Sequence, residues 1–457
     1  MKSPFFCWES VLPHSPAEVF AWHTRPGAFD RFNPPWRPVS IIEPPNSLRD
    51  GSRVHIKVPL LGPLGISWIL THREYREGEQ FCDEQIRGPF RSWKHYHQFI
   101  AESDLSCRMR DEIHFTLPYG TGLLTPLINH ELQRLFRYRH MILTNDMQLH
   151  ARFKEAPRKT ILVSGSSGFI GSALCAFLST AGHTVIRLVR RPSRDPRERS
   201  WNPEQDNLDP AVFDGIDALI HLGGEGLLGH RWTPEYKQRI LESRTKSSAL
   251  LCRTISQLQR KPEVVIMASA IGYYGDTGDT LVDERSPAGT GFLADTCKAW
   301  EASARDSLQG STRLVHIRIG TVLNASGGAL KQMLPIFKLG GGGVLGNGRH
   351  YMSWIALQDL LGIFEHAIYT PSMHGPYNAV APYPVTNREF TKTLGKVLHR
   401  FTIIPTPAAV LRMIFGEVAD AVLLASSRVA PRAIAEAGYS FTLPNLEDAL
   451  RFECGEF

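Results

Sequence analysis

The chain has 457 residues, of which 42% are hydrophobic and 21% are charged, a composition that is ordinary for globular proteins. At about 100–200 residues per domain, this length predicts two or three domains. The net charge of +6 gives a mild preference for anions, but it is too small for the basic surface typical of nucleic-acid-binding proteins.

The sequence does not indicate export, membrane insertion or a metal site. Its first residues reach Glu9 without the apolar core of a signal peptide, and no apolar run approaches the length of a membrane span. The seven cysteines are scattered and contain no Cys-x-x-Cys pair, which indicates reduced thiols. We therefore expect a cytoplasmic protein with no membrane span, no nucleic-acid partner and no metal. The oligomeric state is left open.

Residues 1–152 predict a unit in which an antiparallel sheet wraps around a long helix. Ser15 and Pro16 are typical of the first turn of a capped helix. The predicted strands cover residues 5–11, 51–59, 65–75, 80–86, 93–101 and 107–117, and an amphipathic helix covers roughly 123–150. A sheet and helix of this kind can enclose an apolar cavity, which predicts an apolar ligand. His95 and His97 point to one face of their strand, either as cavity groups or as ordinary polar residues.

Three segments of this unit, residues 11–20, 33–36 and 88–93, together with the terminal helix, resemble the START-like superfamily. This superfamily is also described as helix-grip, polyketide-cyclase-like or SRPBCC. The resemblance implies an α+β helix-grip fold for residues 1–152.

A glycine-rich turn follows the first strand of the next unit. The apolar strand at residues 160–164 leads into Gly165, Gly168 and Gly171, then into a helical pattern at 172–178 and a second strand at 184–189. Strand, glycine turn, helix and strand are the context of a dinucleotide fingerprint. The glycines let the backbone approach a pyrophosphate, and the helix N-terminus presents free N–H groups to it.

The end of the second strand indicates which dinucleotide is bound. An NAD site usually places an acid there, which accepts hydrogen bonds from the ribose 2′-hydroxyl. This chain has Arg187, Arg190 and Arg191, and its next acid is Asp195. Because a guanidinium favours a 2′-phosphate, the sequence predicts NADP(H) rather than NAD(H). The alternative is that the arginines form a solvated surface patch.

The rest of the chain continues the alternation of strands and helices. Strands are predicted at 217–222, 263–269 and 313–320, with helices at 233–258 and 294–307 between them, and a helical tail begins near residue 405. This pattern predicts an α/β fold: a Rossmann doubly wound parallel sheet over 158–400 and a small C-terminal helical domain over 401–457. The glycine-rich stretch 339–349 is either a mobile lid over the substrate or a plain flexible loop.

From about residue 160 onward the chain resembles an atypical extended short-chain dehydrogenase/reductase. The matching segments are 165–171, 221–225, 231–233, 242–244, 269–275, 300–301, 318–323, 327–330, 353–355 with Asp359, and 378–382. They are similar to the NADP-binding epimerase-like family that ends in its own C-terminal domain of unknown function. The resemblance assigns the cofactor contacts to Gly165, Ser167, Gly168, Phe169, Ile170, Gly171, Arg190, Leu222, Gly223 and Arg244.

The catalytic pattern of such reductases is broken in this chain. They use a Tyr and a Lys four residues apart on one helix face, together with a Ser or Thr. Here the corresponding pair is Leu293 and Cys297, or, shifted by one residue, Ala294 and Lys298. The candidate substitutes are Ser269, Tyr273 and Tyr274 at the neighbouring strand end, and Lys298 and Glu301 on the helix.

Three functions therefore stay open. The chain is an NADP-dependent oxidoreductase or epimerase-like enzyme that acts on a small molecule with an unusual proton donor. Alternatively, it is a catalytically inactive NADP(H) sensor, or a carrier whose N-terminal cavity delivers an apolar ligand to the second unit.

Overall fold

The computed structural model describes residues 5–61, 64–119, 121–228 and 230–457. It divides into two compact units. The first comprises residues 1–154 with the short segments 179–182 and 455–457, and the second comprises residues 155–178 and 183–454. The boundaries at 152, 158 and 401 stay predictions.

The first unit is built on a seven-stranded antiparallel sheet with the order β1-β7-β6-β5-β4-β3-β2. Its strands are β1 (Phe5–Leu12), β2 (Ser40–Glu43), β3 (Arg53–Leu61), β4 (Leu64–Arg76), β5 (Gln80–Arg87), β6 (Ser92–Ser103) and β7 (Ser106–Thr116). Its helices are α1 (Pro16–Thr24), α2 (Ala28–Arg31) and α3 (Thr125–Ala151). This is the predicted helix-grip arrangement, to which the structure adds β2 and α2.

Local sequence explains the bounds of these elements. Ser15 caps α1 in a capping box with Glu18, and Pro16 occupies the first turn, as predicted. On β7, buried and half-buried residues alternate along the whole strand, which is the pattern of a sheet with one covered face. The covered face packs Phe6, Ile113 and Phe115 against Phe136 of α3.

The second unit contains a seven-stranded parallel sheet with the order β10-β9-β8-β11-β12-β13-β17. The strands of the unit are β8 (Thr160–Ser164), β9 (Thr184–Val189), β10 (Glu198–Ser200), β11 (Ala218–His221), β12 (Val264–Ala270), β13 (Arg313–Ile319), β14 (Thr321–Leu323), β15 (Tyr351–Met352), β16 (Trp354–Ala356), β17 (Gly375–Ala379) and β18 (Val385–Thr386). The chain moves outward from β8 to β9 and β10, then returns to place β11 on the other side of β8. The sheet is therefore doubly wound, as predicted.

Helices connect these strands and continue to the C-terminus. They are α4 (Phe169–Thr180), α5 (Pro234–Gln257), α6 (Phe292–Ser307), α7 (Gly328–Lys338), α8 (Leu357–Tyr369), α9 (Asn387–Val397), α10 (Ala408–Phe415), α11 (Arg432–Glu436) and α12 (Leu446–Cys454). None of the helices that the structure describes combines the length and apolar character needed to cross a lipid bilayer.

A buried carboxylate ties the C-terminal segment to α8. Asp359 lies in the first turn of α8 and is 1% exposed. It accepts hydrogen bonds from the backbone N–H groups of Thr442 and Leu443 at 2.7 and 2.9 Å and from the Tyr439 hydroxyl at 3.1 Å. These bonds satisfy donors of an irregular segment that would otherwise be buried without partners.

Candidate functional site

The glycine turn lies where the strand order of the parallel sheet reverses. Between β8 and β11 the sheet has its topological switch point, and ligands of doubly wound folds bind outside the carboxyl ends of the strands there. The turn leaves β8 through Gly165, whose φ is +72°. A Cβ at this position would also lie 2.8 Å from the carbonyl carbon of Leu222, so only glycine fits.

The remaining residues of the turn form the start of α4. Ser167 and Gly168 are exposed, Phe169 and Ile170 are half-buried, and Gly171 is buried. A side chain at Gly171 would collide with the backbone of Gly165. The N-terminus of α4, with its free N–H groups, therefore opens onto the exposed part of the turn, which is the geometry of a phosphate site.

The three arginines in and just after the last part of β9 are not equivalent. Arg191 makes a bidentate ion pair with Glu198, with both N–O distances at 2.7 Å. Arg187 pairs with Asp195 at 2.8 Å. Arg190 is exposed, and among the described residues it has no hydrogen-bond or ion-pair partner. Its charge is thus available at the position where a 2′-phosphate is bound in this fold.

Leu222, Gly223 and Arg244 lie on the β11 side of the switch point. Leu222 and Gly223 follow β11 directly and are half-buried. The Arg244 guanidinium donates to the carbonyl of Glu225 at 2.9 Å and lies 5.1 Å from the centre of the Trp300 ring. Arg244 is thereby fixed beside the loop that follows β11.

Sequence reasoning missed His221, which links the ends of two strands. Its Nδ1 lies 2.5 Å from the Ser164 hydroxyl and its Nε2 lies 3.0 Å from the Ser247 hydroxyl. Burial, followed by the charge of Arg244, lowers the pKa of His221 to about 3, so the imidazole is neutral. A histidine at the end of an otherwise apolar strand was the signal available in the sequence.

The helix face that usually carries the Tyr and Lys pair is apolar here. A Cβ at Gly272 would lie 3.4 Å from Cβ of Leu293 and 3.8 Å from Sγ of Cys297, so these two side chains face the turn after β12. Burial raises the pKa of Cys297 to about 11, which keeps the thiol protonated. Lys298 lies on the exposed side of α6 and pairs with Asp295 at 2.6 Å.

A buried polar network occupies the region behind this face. Glu301 of α6 and Arg318 of β13 form a bidentate pair with both N–O distances at 2.8 Å. Ser269 donates its hydroxyl to Glu301 at 2.7 Å. Arg318 also donates to the Tyr274 hydroxyl at 2.9 Å, which in turn donates to Asn378 at 2.8 Å. The hydroxyls of Ser269 and Tyr274 are therefore already engaged in internal hydrogen bonds.

The two neighbouring tyrosines differ in their surroundings. Tyr274 is buried, and burial raises its pKa to about 12. Tyr273 is half-buried, and its hydroxyl has no hydrogen-bond partner among the described residues. The Arg318 guanidinium carbon lies 3.4 Å from the centre of the Tyr273 ring, which fixes the ring while leaving its oxygen free.

Three family models match the chain. The model of the NAD dependent epimerase/dehydratase family matches residues 161–302. That of polyketide cyclase / dehydrase and lipid transport proteins matches 12–137, and a domain of unknown function, DUF1731, matches 406–453.

Individual relatives agree with these matches. An epimerase family protein of Mycobacterium bovis is 41% identical over 292 residues, which cover 64% of this chain and 96% of that protein. The crystal structure of a nucleoside-diphosphate sugar epimerase from Corynebacterium glutamicum is 31% identical with a TM-score of 0.80, covering 98% of this chain and 90% of that one. The crystal structure of human SDR39U1 with NADPH is 35% identical with a TM-score of 0.60, covering 65% of this chain and 100% of that one.

The resemblance noted in the sequence is thus confirmed for both units, since matching relatives cover the second unit nearly end to end and one covers almost the whole chain. The chain belongs to the epimerase family that includes human SDR39U1, in a longer form with an N-terminal polyketide-cyclase-like domain.

Proposed function

We propose that the second unit binds NADP(H) and transfers hydride to or from a small-molecule substrate. The observation that carries this proposal is Arg190, the exposed arginine beside the glycine turn that no acid of the described chain engages. The human relative, whose structure contains NADPH, supports the same cofactor. Bound NADP(H) would supply the hydride chemistry, and the protein would supply binding, orientation and the proton.

Different residues around the switch point would bind different parts of the cofactor. The turn from Gly165 to Gly171 and the N-terminus of α4 would hold the pyrophosphate, and Arg190 would bind the 2′-phosphate. Leu222, Gly223 and Arg244 would line the other side. Ser167, Phe169 and Ile170 complete the turn.

Isothermal titration calorimetry with NADPH and NADH tests the cofactor. We expect tighter binding of NADPH. Arg190→Ala should weaken NADPH binding by roughly 1.5–3 kcal/mol, which is the range for hydrogen bonds to charged groups, and should leave NADH binding nearly unchanged. Arg197→Ala is a matched control because it removes the same charge from an exposed site in the same loop. Equal affinities for the two cofactors, or equal effects of the two variants, would contradict the proposal.

We propose Tyr273 as the proton donor or acceptor, with Tyr274 and Ser269 in supporting positions. Tyr273 is the tyrosine whose oxygen is free, and it follows the carboxyl end of β12, where sites of this fold assemble. Lys298 is the weakest of the candidates, since Asp295 already binds its ammonium group on the exposed side of α6.

Nucleoside diphosphate sugars are the first substrates to test, because the Corynebacterium relative is described as an epimerase of such compounds. With a substrate in hand, Tyr273→Phe should lower the rate by about 10²–10⁴ at equal NADPH occupancy, as expected for a lost general acid or base. Tyr274→Phe is the matched control and should change stability more than rate. Full activity of Tyr273→Phe would assign the proton transfer to another group.

The apolar face of α6 favours a second candidate, an NADP(H)-binding protein without turnover. Leu293 and Cys297 stand where the standard helix presents its Tyr and Lys. This candidate predicts tight NADPH binding with no conversion of any tested substrate. The proposal that the protein is an enzyme predicts conversion of at least one substrate.

Other expectations remain proposals. We propose that residues 1–152 and 158–457 fold separately, that 401–457 forms its own small domain, that the N-terminal unit takes an apolar ligand, and that the protein is cytoplasmic. Expression of the two segments with thermal melts, and mass spectrometry of molecules released from the purified protein, test the first three. Fractionation of the cells that produce the protein tests the fourth.

A further inference from the structure

The N-terminal unit contains a cluster of histidines and aspartates that the proposed reaction does not use. Its members are His72 of β4, Asp83 of β5, His95 and His97 of β6, Asp111 of β7 and His140 of α3. All are buried except Asp83, whose side chain is 20% exposed. Titratable side chains are rarely buried unless they are paired or bind a metal. The prediction that His95 and His97 share one face of their strand is confirmed by their common burial.

Three members of this cluster present ligand atoms to one point. One atom each of Asp83, His95 and His97 lies within 4.8 Å of the other two. Oδ2 of Asp83 lies 3.2 Å from Nε2 of His97 and 3.7 Å from Nδ1 of His95. Atoms that share a Zn²⁺ at roughly 2.0–2.2 Å lie roughly 3–3.5 Å from each other, which is close to these separations.

We propose that Asp83, His95 and His97 form a binding site for a divalent transition-metal ion of the Zn²⁺ or Fe²⁺ class. Imidazole nitrogens suit these ions, and two histidines with one carboxylate form a common three-ligand set for them. The set has too few oxygens for Ca²⁺ or Mg²⁺.

Outer partners orient two of the three ligands, His95 and Asp83, for this role. His95 uses its other nitrogen, Nε2, to bond Oδ1 of Asp111 at 2.7 Å. Asp83 uses its other oxygen, Oδ1, to bond Nε2 of His72 at 3.0 Å. The remaining nitrogen of His72 lies 2.8 Å from the carbonyl oxygen of Ser47. A carboxylate behind a ligating histidine is the usual second layer of a metal site.

A metal-free network of hydrogen bonds is the alternative, and one distance in the cluster is too long for it. Charge-assisted hydrogen bonds between nitrogen and oxygen are about 2.7–2.9 Å long. The outer bond of His95 is 2.7 Å long, and the bond of His140 to Asp111 is as short, at 2.6 Å. The contact of Oδ2 of Asp83 with Nε2 of His97, at 3.2 Å, is a long hydrogen bond, whereas its contact with Nδ1 of His95, at 3.7 Å, is too long to be one. The hydrogen-bonded network therefore leaves Oδ2 of Asp83 and Nδ1 of His95 without a bond to each other, whereas a shared metal ion would join them.

Aromatic rings hold the two histidines in place. Phe81 stacks on His97 with the ring centres 4.2 Å apart, and Phe136 meets His95 edge-on at 5.1 Å. Three protein ligands leave a coordination position for water or for an oxygen or nitrogen atom of a ligand.

Metal titration of the full-length chain tests the site. The purified protein is stripped with a chelator and titrated with Zn²⁺ by calorimetry, with anaerobic Fe²⁺ in parallel, and with Co²⁺ followed by its visible absorption. We expect one equivalent per chain and a Co²⁺ spectrum typical of mixed nitrogen and oxygen ligands. Asp83→Asn, His95→Gln and His97→Gln should each abolish stoichiometric binding, and Asp111→Asn should weaken it by about 10–100-fold.

His114→Gln is the matched control, because His114 lies on β7 outside the cluster, with a side chain that is 44% exposed and a hydrogen bond of 2.7 Å to Glu112. It should bind metal as the wild type does. Thermal melts identify any variant that fails to fold. The titration of the wild-type protein tests the site even if a variant does not fold. Absence of stoichiometric metal in the wild type, or unchanged binding in folded variants of the three ligands, would overturn the proposal and leave a buried hydrogen-bonded network.

Discussion

Replacement of Glu301 by glutamine should destabilise the second unit strongly. The Glu301 and Arg318 side chains are 10% and 3% exposed, and they share two N–O contacts of 2.8 Å. Glutamine keeps the size of the side chain but places an amide N–H against a guanidinium N–H, and it leaves Arg318 charged and unpaired. Breaking a buried ion pair in this way costs about 3–5 kcal/mol.

Thermal unfolding measures this loss. At roughly 2–4 °C per kcal/mol for a domain of this class, the melting temperature should fall by roughly 6–20 °C. Glu436→Gln is the matched control, because Glu436 also pairs with an arginine, Arg432, but both side chains are about half exposed. Its melting temperature should stay close to that of the wild type.

The dependence on pH gives an independent check. Burial raises the pKa of Glu301, but the hydrogen bonds and charge of Arg318 outweigh burial and hold that pKa below its ordinary value of 4.5. A carboxyl group with a lowered pKa in the folded state stabilises the protein above its unfolded pKa and loses this effect as the pH falls through the folded pKa. The difference in free energy of unfolding between wild type and Glu301→Gln should therefore be constant near neutral pH and narrow below about pH 4.5. Equal melting temperatures, or a difference that does not change in acid, would refute this reasoning.

Two further substitutions test a buried contact of the C-terminal segment and the glycine turn. Asp359→Ala leaves the buried N–H groups of Thr442 and Leu443 without an acceptor. It should therefore lower the free energy of unfolding by at least about 2 kcal/mol in a denaturant titration, and an unchanged midpoint would contradict this. Gly165→Ala should reduce NADPH affinity measured by calorimetry, since its Cβ would lie 2.8 Å from the backbone of Leu222. Gly278→Ala, at a positive φ with open space around it, should leave that affinity unchanged.

The sequence was most informative where the evidence was local. The order of strand, glycine turn and helix at residues 160–178 needs no distant partner, and the structure reproduces it. The N-cap at Ser15 is equally local. The same holds for the apolar helix face, since Leu293 and Cys297 occupy positions that could be counted along the chain.

Long-range contacts could not be predicted in the same way. Arg318 lies 17 residues from Glu301 and 44 from Tyr274, so their network depends on how β12, β13 and α6 meet. The proposed metal site needs the register that places Asp83 opposite His95 on neighbouring strands. Hydrophobic alternation predicts each strand, but it does not fix how two strands are aligned.

The conformation of the glycine-rich stretch 339–349 also depends on a segment that is distant in the sequence. The sequence left a mobile lid and a flexible loop open. In the structure, Val344 and Gly346 exchange backbone hydrogen bonds with Thr406 at 2.8 and 2.9 Å. A side chain at Gly343 would collide with the backbone of Ile404. The glycines thus allow close contact with the segment before α10, which is a packing role that composition alone could not distinguish from mobility.

The position of Arg318 changes what the loss of the Tyr and Lys pair implies. In the standard arrangement, a lysine supplies the positive charge beside the catalytic phenol. Here the guanidinium of Arg318 from β13 lies 3.4 Å from the centre of the Tyr273 ring and is held in place by Glu301. A guanidinium stays charged over the whole range of pH at which proteins are folded, whereas a lysine can titrate. If Tyr273 transfers the proton, the positive charge beside it is therefore fixed by Arg318.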